Sequence, residues 1–93
     1  MSQPEMRINE LGTKSWFLND LLHREDGPAV EYENGTKVWY LNGLEHREDG
    51  PAVEYPVGTK LWYLKGKEVS WQQVFKKAKT VEQELSIIIY ALG

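Results

Sequence analysis

His23-Arg24-Glu25-Asp26-Gly27-Pro28-Ala29-Val30-Glu31-Tyr32 recurs residue for residue as His46-Arg47-Glu48-Asp49-Gly50-Pro51-Ala52-Val53-Glu54-Tyr55, 23 positions further on. An internal repeat decides a fold, because each unit must bury its apolar side against its neighbours. At the same interval lie three copies of Gly-Thr-Lys-x-Trp-aromatic-Leu, over residues 12–18, 35–41 and 58–64. The repeat therefore spans most of the chain, and its structure sets the architecture.

Each unit reads as strand, tight turn, strand. Lys37-Val38-Trp39-Tyr40-Leu41 has the β-branched and aromatic character of a strand, and Asn42-Gly43 is the preferred dipeptide of a type I′ hairpin turn. Asn19-Asp20 and Lys65-Gly66 fall at the equivalent turns, and Asn34-Gly35 punctuates the return into the next unit. The Asp-Gly-Pro within the return leg either ends a strand or bends one. An odd number of strands per unit would reverse direction at every repeat and place identical sequences in different environments. Two strands per unit avoid this, with Pro28 and Pro51 at a bulge where no ladder donor is needed. The expectation is an antiparallel meander of six or seven strands in one twisted sheet.

After Gly66 the period changes. Ser70 followed by Gln73 fits a capping box, and Trp71, Val74, Phe75 and Ala78 fall at helical spacing. Thr80 with Gln83 makes a second cap, and Glu82 and Glu84 sit near the positive end of that helix dipole. Two short helices are expected, about 71–78 and 81–92. Val81, Leu85, Ile88, Ile89 and Leu92 read as the inner face of the second, and Ile87 and Tyr90 widen its apolar surface. The fold class is thus mainly β with C-terminal α in a single domain over 1–93, the repeat sheet at about 8–66 and the helical segment at about 67–93.

The repeat resembles the MORN (membrane occupation and recognition nexus) repeat, which is also 23 residues long and also a β-hairpin. The matching positions are Asn34-Gly35, Asn42-Gly43, His46, Gly50 and Tyr55. The chain departs from the usual pattern where Arg47-Glu48-Asp49 and Pro51 replace alternating glycines. It looks closer to a divergent form, with Trp-Tyr, Asn-Gly and His-Arg-Glu-Asp-Gly-Pro-Ala segments, found in small proteins of bacteriophages and large viruses. That likeness implies a protein-binding role in a phage setting, or, from MORN-type proteins at large, self-assembly or membrane association.

Composition narrows the classes. The chain has 93 residues, no cysteine and a formal charge of -3. Disulfides and thiolate metal sites are excluded, and a reducing compartment, by default the cytoplasm, is expected. No apolar run approaches the ~18 residues of a membrane span, and Met1 to Glu10 lacks the apolar stretch of a signal peptide, so the chain is expected to remain whole. Residues 1–59 carry eleven acids against five bases, and residues 60–93 six bases against three acids. Acidic repeats argue against a nucleic-acid footprint there, since phosphate neutralisation needs a basic stripe. Lys76, Lys77 and Lys79 give only slender support to a membrane role.

The most enzyme-like residues are the two His-Arg-Glu-Asp runs, in which imidazole beside carboxylate suggests a general base. A catalytic group is needed once, and these come in duplicate at equivalent repeat positions, as structural residues do. Arg24 and Arg47 are expected to pair with nearby carboxylates, and Asp26 and Asp49 to hold the Gly27-Pro28 and Gly50-Pro51 bends. His23 and His46 stand two strands apart, about 9.5 Å, too far for one ion to bridge unaided. No phosphate-cradling loop or nucleophile elbow is present. Neither an enzyme nor a cofactor is expected.

Trp16, Trp39 and Trp62 form a ladder that shares a face with Leu18, Leu41 and Leu64. The opposite face carries Phe17, Tyr40 and Tyr63 with Val38 and Leu61. Two short helices are too small to cover both faces, and monomers rarely leave large apolar patches exposed. Snorkelling tyrosines and long charged side chains can mask the remainder, or another molecule can cover it. The expected function is a non-enzymatic protein-binding module that inhibits a host factor by occupying its surface, for example a phage protein acting against a CRISPR effector. Its candidate contacts are Tyr40, Tyr63, Glu31, Glu33, Glu54, Ile87 and Tyr90, the acids in the role of phosphate mimics. The alternative is a structural module that forms a homodimer, or a membrane-associated adaptor.

Overall fold

The computed structural model describes residues 3–93. Strands run over Glu5–Ile8 (β1), Lys14–Leu18 (β2), Leu21–Leu22 (β3), Val30–Glu31 (β4), Lys37–Val38 (β5), Tyr40–Leu41 (β6), Leu44–Glu45 (β7), Val53–Glu54 (β8), Lys60–Leu64 (β9) and Lys67–Val69 (β10). Helices follow at Trp71–Lys76 (α1) and Val81–Leu92 (α2). The main sheet has eight strands ordered β1-β2-β4-β5-β8-β9-β10, with β3 alongside β2, and β6 and β7 form a separate pair. Every pairing is antiparallel.

The return leg of a unit is one strand broken by a large bulge. Leu21 and Leu22 pair with Leu18 and Phe17, and Val30 and Glu31 pair with Ser15 and Lys14 of the same outgoing strand. Between them, Trp16 donates its N–H to the Ala29 carbonyl and accepts from the His23 N–H. Residues 24–28 are therefore looped out opposite a single tryptophan. The second unit repeats this around Trp39, Ala52 and His46. The sheet path crosses seven legs at two per unit, so identical sequences keep identical surroundings, as the parity of the repeat requires.

The turns follow their sequences. Asn19, Asp20, Asn42, Gly43, Lys65 and Gly66 all have positive φ, the signature of three type I′ turns. Between units, Gly35 N–H donates to the Tyr32 carbonyl and Tyr32 N–H to the Thr36 carbonyl. That closes a turn whose last residue, Gly35 at φ +96°, needs the left-handed region open to glycine.

Three cross-sheet rows result from this register. Lys14, Glu31, Lys37, Glu54 and Lys60 stand side by side with alternating charge. Ser15, Val30, Val38, Val53 and Leu61 form the next row on the opposite face, and its three valines are a buried cluster flanked by Leu22, Tyr40, Leu61 and Tyr63. One step further, Trp16, Ala29, Trp39, Ala52 and Trp62 alternate large with small. Both alanines are completely buried, so the space between tryptophans about 9.5 Å apart is filled by an alanine and the folded-over bulge.

A second core lies where the helices meet the last hairpin. Trp62, Val74 and Ile87 are buried together, with Leu64, Val69, Trp71, Phe75 and Ala78 packed around them. The helices thus cover the tryptophan face at the third unit. Ser70 and Gln73 form the expected capping box. Thr80 accepts from the Gln83 N–H, while the Gln83 side chain accepts from Lys79.

Candidate functional site: the tryptophan face and the outer side of α2

Each bulge folds back over its own tryptophan. The Arg24 guanidinium lies 3.9 Å from the Trp16 ring centroid, and Arg47 lies 3.9 Å from Trp39. This is a cation–π lid, supported by the packing of the arginine stem. Arg24 also donates from Nε to Asp26, and from Nη1 to the Pro28 carbonyl and Glu31, at 3.1–3.2 Å. Arg47 repeats the set with Asp49, the Pro51 carbonyl and Glu54 at 2.8–3.1 Å. The Gly-Pro bend is held by arginine, and not by the aspartates as the sequence suggested. The aspartates orient the guanidinium instead.

Gly27 and Gly50 are structural at this lid. A β-carbon would come within 3.0 Å of Arg24 Cζ at residue 27 and 2.7 Å of Arg47 Cζ at residue 50. The arginine is clamped between indole and glycine backbone, and only a residue without a side chain leaves room.

The second lid carries an additional partner. Arg47 Nη2 donates to the Tyr90 hydroxyl at 3.3 Å and lies 4.8 Å from that ring, so the cation sits between Trp39 and Tyr90. Burial acts to lower the Arg47 pKa, but the bonds to Tyr90 and Asp49 outweigh it and hold the guanidinium above its ordinary value. One turn earlier on α2, the Ser86 hydroxyl donates to the Asp49 carbonyl at 2.7 Å. Ser86 and Tyr90 therefore dock α2 on the second bulge, while Ile87 enters the core.

The histidines tie each unit to the next. His23 Nδ1 accepts from the Asn42 N–H at 3.0 Å, and His46 Nδ1 accepts from the Lys65 N–H at 2.9 Å. Nδ1 as acceptor places the proton on Nε2, which faces Glu25 at 3.3 Å or Glu48 at 3.0 Å. Both ring nitrogens are thus occupied in holding a bulge against the next hairpin turn. Among the described residues, no three His, Asp or Glu side chains converge as metal ligands. This clasp was not foreseen from sequence; its only signal is that each histidine precedes the first residue of the next type I′ turn by 19 positions.

No family model, curated protein or solved structure matches the chain. The functional reading therefore rests on surfaces.

The expected contact residues are placed as follows in the fold. Ile87 is completely buried and offers no surface, while Tyr90 is half-buried and bonded to Arg47. Glu31 and Glu54 are bonded to arginines and flanked by lysines, which leaves no block of stacked acids to imitate phosphates. Glu33 is exposed in its turn. Tyr40 and Tyr63 are half-buried beside the valine row and line a shallow open groove with Tyr32 and Tyr55. Burial, then Glu45 and the neighbouring Tyr32 and Tyr63, raise the Tyr40 pKa above its ordinary 10.0.

The inner face of α2 is the reverse of the expected one. Val81, Leu85, Ile89 and Leu92 point outward, between 55% and 77% exposed, with Ile88 half-buried at their margin. At 100° per residue these five fall within about 100° of the helix circumference. Glu82 and Glu84 are the only charges on the helix, and they border this arc without entering it. The second half of α2 therefore presents an apolar seam to the outside. A cleft of about 510 Å³ lies nearby between the two bulges, lined by Glu25, Asp26, Trp39, His46, Glu48 and Gln83 among others.

Proposed function

We propose that the protein is a non-enzymatic protein-binding module, a small inhibitor that occupies the surface of a host factor in a one-to-one complex. The observation that carries this reading is the α2 seam. A helix already secured on its inner side by Ile87, Ser86 and Tyr90 has no structural use for four further exposed aliphatic side chains, and such patches mark contact sites. The partner expected is a protein with an apolar groove that receives a helix face through anchors at i, i+4 and i+8. The phage-type repeat resemblance gives the role a concrete form: a bacteriophage protein that silences a host defence complex, such as a CRISPR effector, in the host cytoplasm. Absence of cysteine and of any helix long and apolar enough to cross a membrane among the described residues fits that setting. The commitment of both histidines to the repeat clasp supports a role without catalysis.

The test is capture from host lysate on the immobilised chain, beside a Leu85→Glu/Ile89→Glu variant whose fold is verified by circular dichroism. The expected result is a protein retained in equimolar amount by the parent chain and lost from the variant. Identical retention by both chains would remove α2 as the binding surface.

A further inference from the structure

The outer edge of β1 is exposed along its whole length. β1 ends the sheet order, and all four of its residues are exposed. Met6 stands opposite Trp16, and the Trp16 N–H and carbonyl are both committed to the other side, to Ala29 and His23. In an antiparallel ladder such a position is a non-hydrogen-bonded pair, so the backbone groups of Met6, and of Ile8 two residues on, point away from β2. They form an unpaired edge, and Pro4 adds one more outward carbonyl but no N–H.

We infer that two chains associate about a two-fold axis through this edge, Met6 against Met6, and continue one antiparallel sheet across both molecules. That register pairs most of the outward groups. Met6 N–H donates to the Met6 carbonyl of the second copy and the reverse, and each Ile8 N–H donates to the opposite Pro4 carbonyl. Pro4 has no N–H to return, so each Ile8 carbonyl stays open to solvent at the end of the ladder. The same register sets Glu5 directly across from Arg7 of the other chain, twice, in the non-hydrogen-bonded sites where side chains lie closest. Within one chain Arg7 meets Glu5 only at 3.5 Å and lies over the Phe17 ring at 4.6 Å, yet both side chains are more than half exposed and can reach a second chain. Centring the two-fold on Arg7 would keep Met6 and Ile8 hydrogen-bonded but set Arg7 directly against Arg7, and like charges opposite each other are destabilising. The opposite end of the sheet offers no equivalent, since β10 has three residues and runs directly into the Ser70 cap of α1.

An edge of four residues gives an interface at the small end of the range for specific complexes, so a concentration-dependent monomer–dimer equilibrium is expected. This association does not involve the α2 seam and stands or falls separately from the host-factor reading.

Sedimentation equilibrium of the full chain from about 10 µM to 1 mM tests it. The weight-average mass is expected to rise from the 10.8 kDa of one chain towards twice that. Glu5→Arg or Arg7→Glu alone should weaken dimerisation by about tenfold or more, because two attractive cross-strand pairs become repulsive. Mixing the Glu5→Arg chain with the Arg7→Glu chain should restore it, since each then meets its opposite charge. A parent chain that remains monomeric throughout, or single variants that dimerise as the parent does, would overturn the inference. Dimerisation lost in the Leu85→Glu/Ile89→Glu variant and kept in the edge variants would move the contact to α2.

Discussion

Arg47 meets Trp39, Tyr90, Asp49, Glu54 and the Pro51 carbonyl at once, whereas Arg24 has every equivalent partner except the tyrosine. The two repeats thus provide an internal comparison. Combining a cation–π contact with charge-assisted hydrogen bonds that lie partly out of water, Arg47→Ala is expected to cost about 3 kcal/mol. Arg24→Ala, at a more exposed lid, is expected to cost about 1–2 kcal/mol, and urea unfolding of the two variants checks the order. For the clasp, His23→Asn should retain more stability than His23→Ala, because an amide oxygen can accept the Asn42 N–H where alanine leaves it unpaired. Tyr40 gives a pH dependence. Its folded-state pKa lies above the ordinary 10.0, so the unfolded chain releases the proton first. Stability is full below that value and falls as pH rises through the window above it. Tyr40→Phe should flatten this alkaline loss, seen as a smaller drop in Tm between about pH 9 and 11 than in the parent chain.

At the scale of elements, the type I′ turns, the tryptophan ladder and both helix caps were legible in the sequence because each rests on chemistry local to a few residues. The bulge lids were not. A segment looped out opposite one tryptophan has no period-2 or 3.6 pattern, and the stacking of Arg24 or Arg47 on an indole depends on a strand that precedes it in the chain. The inner face of α2 was misread for a related reason. Counting apolar residues favours Val81, Leu85, Ile89 and Leu92, yet Ser86 and Tyr90 have polar partners waiting on the second bulge and turn Ile87 inward with them. The turns carry a prediction of their own. Lys65 has φ +50°, a left-handed conformation that a lysine adopts at a cost and asparagine tolerates. Lys65→Asn keeps the backbone N–H that His46 accepts, so it should raise stability by about 0.5–1 kcal/mol in a thermal or urea melt.

Across the whole molecule, the repeats and the helices divide the work. The first two units cover their own tryptophans with arginine lids, and the third, which lacks the His-Arg-Glu-Asp-Gly-Pro run, leaves Trp62 to α1 and α2. That arrangement explains why two short helices suffice for the tryptophan face, and the flanking tyrosines and leucines do the same for the valine row. Much of the repeat is occupied in holding the sheet, and the outer side of α2 is the surface proposed above for a protein partner. A folded Leu85→Glu/Ile89→Glu variant should accordingly keep its Tm within about 2–4 °C of the parent, since exposed positions away from the core change stability little. The duplicated cluster holds the sheet together, and the α2 seam is the proposed binding surface. The deciding measurement is the amount of captured host protein retained per folded chain, compared between that variant and Arg24→Lys/Arg47→Lys at a temperature where both remain folded. Loss of the partner is expected with the seam variant, and undiminished retention with the arginine variant. Retention by the seam variant, or loss by a folded arginine variant, would contradict that division of roles.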